Sequence, residues 1–311
     1  MHDHELLFAI LFTVVVLALV AIDLAIFYRR PDAVRFREAL VWSAIWVSLA
    51  VLFAVGLYFW WGRQSALEFS AGYLVEASLS VDNLFVFLVI FRYFRVDPVH
   101  QHKVLFWGIV GALVMRALFI LVGLALVKRF HWVFYIFGAW LVYTGIHLAF
   151  KRESPDKPGE NVLVHWFRRI MPITEDASEG RFFVRRDGLY ATPLFLVLLV
   201  VETTDVLFAT DSIPAILAIT RDPFIVYTSN VFAVLGLRSL YFTLAGMMQL
   251  FAHLHYGLSA ILVFVGVKML ISSFVDIPSW VALVTVATIL AASIVLSLMF
   301  PPDKKVTAPN P

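Results

Sequence analysis

Leu196-Val-Leu-Leu-Val-Val-Glu202-Thr-Thr-Asp205-Val-Leu-Phe-Ala-Thr-Asp211-Ser212-Ile-Pro214 sets three carboxylates inside an apolar run, residues 193–219, that is long enough to cross a bilayer. A similar phrase stands earlier in the chain, where Glu76-Ala-Ser-Leu-Ser-Val-Asp82-Asn83 interrupts residues 68–91. Both copies read acid, five residues, Asp, then a small polar residue. An ionised side chain at the centre of a membrane helix costs on the order of 3 kcal/mol by insertion scales, so such groups are normally paired or functional.

Working outward, 61% of the residues are hydrophobic and 15% charged, with a mean hydropathy of +0.88. That composition belongs to helices that are apolar all round, and it predicts an all-α polytopic membrane protein. Apolar runs of about 20 residues with internally satisfied backbones mark the spans. We place them at about 6–27, 40–61, 68–91, 103–127, 132–150, 193–219, 226–251, 257–274 and 279–300, nine in all, making residues 1–311 one transmembrane domain. The first run is long and lacks a basic leader, so it reads as a span and not as a cleaved signal. Basic residues concentrate on one side: 17 lie in connections that would be cytoplasmic, against Arg63, Lys128, Arg129 and Arg221 opposite. Retention of Lys and Arg inside then puts the N-terminus outside and the C-terminus in the cytoplasm. The net charge of +2 reflects those loops and implies no nucleic-acid partner. The chain has no cysteine, which removes disulfides and thiolate metal sites.

The acidic phrases belong to a longer repeat. With Asp82 laid on Asp211, Glu76 falls on Asp205; Arg116-Ala-Leu-Phe then matches Arg238-Ser-Leu-Tyr, and Leu141-Val-Tyr-Thr-Gly-Ile-His147-Leu matches Leu262-Val-Phe-Val-Gly-Val-Lys268-Met. Residues 68–150 form the first copy and 193–274 the second, separated by a cytoplasmic loop over 151–192 with an amphipathic helix near 162–170. Three spans per copy is an odd number, so the copies must run through the membrane in opposite directions. Such inverted repeats place transporter sites at mid-membrane, where the copies meet.

Six residues of straight helix is about 9 Å and two-thirds of a revolution, so the two acids of each phrase do not share a face. Either these helices face protein on several sides, or they unwind at Asp82-Asn83 and Asp211-Ser212. We favour unwinding, because Asp, Asn and Ser compete for backbone hydrogen bonds and Pro214 follows Asp211. Carboxylates, the Asn83 amide, the Ser212 or Thr204 hydroxyl and freed carbonyls would form a hard-oxygen site for Mn²⁺, Mg²⁺ or Ca²⁺. The metal candidates are Glu76, Asp82, Asn83, Glu202, Asp205, Asp211 and Ser212. Arg116 and Arg238 are counter-charges that join spans. His147 and Lys268, equivalent in the repeat, are either polar fillers or members of a proton relay. Asp23 reads as an interfacial acid. His100/His102, His253/His255 and His2/His4 are weaker metal-gathering candidates. Trp60, Trp61 and Trp132 read as interface belts. No G-x-S-x-G, H-E-x-x-H or phosphate loop is present, so no enzyme is expected.

The segments Glu76-Ala-Ser-Leu-Ser-Val-Asp82-Asn83, Glu202 through Ile216 and Thr228-Ser-Asn-Val-Phe-Ala-Val-Leu-Gly-Leu-Arg238-Ser-Leu-Tyr-Phe resemble the signatures of the TerC family, most closely its Alx-type members. The likeness runs from the first span to the ninth. It implies a multi-pass bacterial inner-membrane protein of the lysine-exporter superfamily, tied to tellurite resistance and alkaline induction and read as a Mn²⁺ exporter. It also implies that the seven metal candidates are family signature positions. An oxyanion such as tellurite would be repelled by deep carboxylates, whereas Mn²⁺ as a transported substrate, with no permanently bound cofactor, fits them. Outward movement of a divalent cation against an inside-negative potential costs about 4.6 kcal/mol per 100 mV, so export needs coupling, most simply to proton entry. A Ca²⁺ or other divalent antiporter, and a scaffold for insertion or metallation of exported proteins, are the alternatives.

Overall fold

The computed structural model describes Val14 and residues 36–150, 180–185, 189–247, 254–275 and 277–299. The expected first span (apart from Val14), the helix near 162–170, and Asp23, His2, His4 and His253 lie outside the described residues. Helices α1 (Phe36–Tyr93), α2 (Pro98–Arg129) and α3 (His131–Phe150) precede a two-stranded antiparallel hairpin, β1 (Phe183–Arg185) and β2 (Leu189–Ala191). There follow α4 (Pro193–Leu217), α5 (Pro223–Leu235), α6 (Leu237–Met247), α7 (Leu254–Ile271) and α8 (Ser279–Met299). Six helical segments are long and apolar enough to cross a membrane, so the chain is a polytopic, mostly helical membrane protein.

The 58 residues of α1 are two arms joined at Gly62, whose φ of 85° and ψ of 175° suit only glycine. Phe53 and Phe69 would stand about 24 Å apart on a straight helix. Their ring centroids are 5.0 Å apart, so the arms fold back on one another. The expected connection at 62–67 is thus a single-residue reversal rather than a loop. Asp97 and Asp222 cap α2 and α5, each accepting backbone N–H bonds ahead of a first-turn proline; both helices therefore start earlier than apolarity alone indicates. The segment Pro223–Ala245, which turns at Gly236 between α5 and α6, is the central one: 83% of the residues in its most apolar stretch are buried, against 22–33% for the other five segments.

Helices α4 and the second arm of α1 run unbroken through Asp211-Ser212 and Asp82-Asn83, which overturns the expected unwinding. Neighbouring hydroxyls bond back within the helix: Thr203 and Thr204 donate to the carbonyls of Leu199 and Val200 at 2.7 Å, and Ser78 donates to that of Leu74. Pro214 is taken inside α4 at the loss of one helical bond. In apolar surroundings, unwinding would strand several backbone groups where the proline strands one.

Helices α3 and α7 pack along their lengths through small residues. A Cβ on Gly266 would lie 2.7 Å from the Gly138 carbonyl oxygen, and one on Gly145 would lie 2.9 Å from that of Ser259. The hydroxyl of Ser259 donates to the Gly145 carbonyl at 2.5 Å. The β-hairpin, not anticipated in the 151–192 loop, is tied down where Thr192 donates to the Arg181 carbonyl at 2.6 Å and Lys103 donates to that of Gly180 at 3.2 Å.

Candidate functional site

On an unbroken helix, Glu76, Ser80 and Asn83 fall at i, i+4 and i+7 and share a face. Asp205, Ala209 and Ser212 repeat that spacing on α4. All six are buried. Between them α2 inserts Arg116, also buried. Its Nε and Nη2 donate to the two oxygens of Asp205 at 3.5 and 3.3 Å, and its Nη1 pairs with Oε1 of Glu76. One guanidinium thus bridges two acids that correspond in the sequence repeat, joining α1, α2 and α4. Planar N–H groups suit this role because they can fork onto one carboxylate while another edge meets a second. The three charges sum to −1, and at 0–3% side-chain exposure solvent does little to screen them.

The other acids of α4 have different neighbours. Glu202 is half-buried, with its carboxylate against Gly111 of α2, where a Cβ would overlap it. Asp211 accepts from Trp140 Nε1 at 2.7 Å and Thr144 Oγ1 at 3.3 Å, both on α3. The structure therefore brings Glu76, Asp205 and Arg116 together and gives Asp211 its bonds on another helix. Asp82 is helical, and its side chain lies outside the described residues. Among the described residues, no three His, Asp or Glu side chains form a metal-type cluster. Arg238 and Lys268 are buried, whereas His147 is exposed and stacks on Tyr143 at 5.9 Å. His100 packs against Gly180 at the foot of the hairpin.

Buried polar atoms with no hydrogen-bond partner among the described residues include Ser80 Oγ, Asn83 Nδ2, Ser212 Oγ, Asn230 Nδ2 and His100 Nδ1. Oε2 of Glu76 is another. Such atoms are uncommon in native interiors and mark places built to meet water or an ion. The first three lie on the same helix faces as Glu76 and Asp205, so the carboxylates and the two hydroxyls offer hard oxygens to a small cation. Sequence reading passed over Ser80, Gly111, Trp140 and Asn230. The spacing from Glu76 to Ser80 could have found the first; nothing in one sequence pairs Trp140 with Asp211.

Residues 61–305 match the family described as integral membrane protein TerC. An uncharacterized membrane protein of Myxococcus xanthus is 51% identical over 93% of this chain and 91% of its own length. A protein of Escherichia coli K12 bearing the provisional name membrane-bound redox modulator Alx is 47% identical over 92% of each chain, and a membrane protein of Rickettsia bellii is 36% identical over 93% of this chain and 96% of its own. No solved structure matches. The chain belongs to the TerC family of integral membrane proteins.

Proposed function

We propose that this protein is a divalent-cation exporter of the bacterial cytoplasmic membrane, moving Mn²⁺ outward in exchange for protons through a site between α4 and the second arm of α1, and that it is not an enzyme. The observation that carries this reading is the convergence of Glu76 and Asp205, buried and equivalent in the repeat, with the unpartnered hydroxyls of Ser80 and Ser212 on the same faces. Carboxylates that alternate between metal and protons supply the exchange, with metal affinity falling as pH drops. Asp82, Asp211 and Glu202 would extend the route on either side.

The reading includes nine spans with the N-terminus outside, and two inverted copies at 68–150 and 193–274. Packing of α3 on α7 supports the inversion. The alignment pairs Gly145 with Gly266 and, at the same offset, Gly138 with Ser259. Two close backbone approaches between these helices, Gly138 to Gly266 and Gly145 to Ser259, exchange under that pairing, as a two-fold axis requires. A redox role, stated in the name of the Escherichia coli relative, would have to act here without thiols, since the chain has no cysteine. Control of Mn²⁺, itself redox-active, is compatible with it.

Purified protein in liposomes should move Mn²⁺ opposite to the proton flow set by an imposed pH gradient, and Asp205→Asn should abolish that flux. Flux of Ca²⁺ in preference to Mn²⁺ would redirect the reading to a calcium antiporter. Absence of any ion flux, together with stable co-purifying proteins, would favour the scaffold alternative.

A further inference from the structure

We propose that Arg116 is a tethered stand-in for the transported cation: it occupies the carboxylates when no ion is bound, and an entering ion must displace it. This rests on the export reading and adds the element that sets affinity and prevents a trapped ion. Three facts carry it. The guanidinium meets Glu76 and both oxygens of Asp205 simultaneously, so the groups offered to a cation are already engaged by one. The cluster is left at −1 with Arg116 in place, whereas a divalent ion on the same two carboxylates would bring them to zero. Ser80 and Ser212 lie on the faces of those acids with hydroxyl oxygens that Arg116 does not satisfy, as expected of a site shaped for another occupant.

Competition of this kind has a physical use. Two bare carboxylates in a low-dielectric site would hold a divalent ion tightly and release it slowly. A covalently attached competitor, always at high local concentration, lowers apparent affinity and pushes the ion off. Glu202 sits one turn from Asp205, beside Gly111 of the arginine's own helix, so another carboxylate is at hand for a guanidinium that releases Asp205.

Arg116→Lys and Arg116→Gln test the idea in full-length protein in detergent, titrated with MnCl₂ at pH 8.5, where protons compete least. Lysine keeps the charge but cannot fork onto both acids, so it should yield more easily: Mn²⁺ should bind Arg116→Lys at least threefold more tightly than wild type. Arg116→Gln, if it folds, should bind at least tenfold more tightly and transport more slowly in liposomes. An arginine that only joins helices predicts unchanged or weaker binding in Arg116→Lys, and that result overturns the proposal while leaving the export reading standing. Wild-type protein that binds neither Mn²⁺ nor Ca²⁺ sinks both.

Discussion

The second arm of α1 and helix α4 carry the same spacing of polar residues and treat it differently. In α1, Glu76 is sealed in the interior against Arg116. In α4, Asp205 is equally sealed, but Glu202 and Asp211 on the same helix are half-buried and lean on Gly111 and on Trp140 with Thr144. Local pattern sets which face a carboxylate occupies; the neighbouring helix sets its electrostatic state. One arginine serves both sealed acids, so the two helices are coupled at this level even though they are far apart in sequence.

The sharpest way to break the comparison is Arg116→Ala. Removing the shared cation leaves two buried carboxylates uncompensated, and breaking such a cluster costs about 3–5 kcal/mol. Thermal unfolding in detergent should show a loss of that size, partly restored by adding Glu76→Gln. A protein that melts like wild type would mean that the two acids are not held by this arginine.

A smaller effect sharpens the relation between the two halves. Gly266→Ala places a Cβ 2.7 Å from the Gly138 carbonyl oxygen, and Gly145→Ala places one 2.9 Å from that of Ser259. Backbone oxygen cannot swing aside, so α3 and α7 must separate, at roughly 1–3 kcal/mol each by the usual cost of overpacking. If the contacts are related by a two-fold axis, the two variants should lose stability equally; a pronounced inequality in melting temperature would argue against it. Gly62→Ala isolates backbone strain, because nothing lies within 4 Å of its added Cβ while φ stays at 85°. Its cost, about 1–2 kcal/mol, should appear without any change in packing.

These cases show what the chain discloses unaided. Apolar runs located the helices because a bilayer demands about 20 unbroken residues, and the bend at Gly62 fell between two such runs. Ends were displaced where capping by Asp97 and Asp222 outweighed hydropathy. Unwinding at Asp211-Ser212 was the wrong expectation, because propensity arguments come from water, where a freed carbonyl finds solvent. The acids of the site were legible as charges that needed a reason. Their partner was legible only as a type: Arg116 was recognisable as a counter-charge, but its simultaneous grip on Glu76 and Asp205 depends on the crossing of three helices, which no spacing encodes. Trp140 was hidden for the same reason, since an aromatic residue in an apolar helix has no signature of the carboxylate it meets.

The smallest effect concerns that tryptophan and separates the open acid of α4 from the sealed one. Trp140→Phe keeps the ring's bulk and removes the 2.7 Å donor to Asp211, leaving Thr144 at 3.3 Å. Because Asp211 is only half-buried, some of the loss is recovered by other polar contacts, and about 1 kcal/mol of stability should disappear, near the middle of the range for one hydrogen bond. A double-mutant cycle with Asp211→Asn makes the test specific. If the indole N–H acts through that carboxylate, the two changes together should cost less than their sum, whereas Trp140→Phe combined with Asp205→Asn should be additive, the two acids having separate partners. Coupling of Trp140 to Asp205 as strong as to Asp211 would show that the acids of α4 share one network, and the division between sealed and open sites would fall.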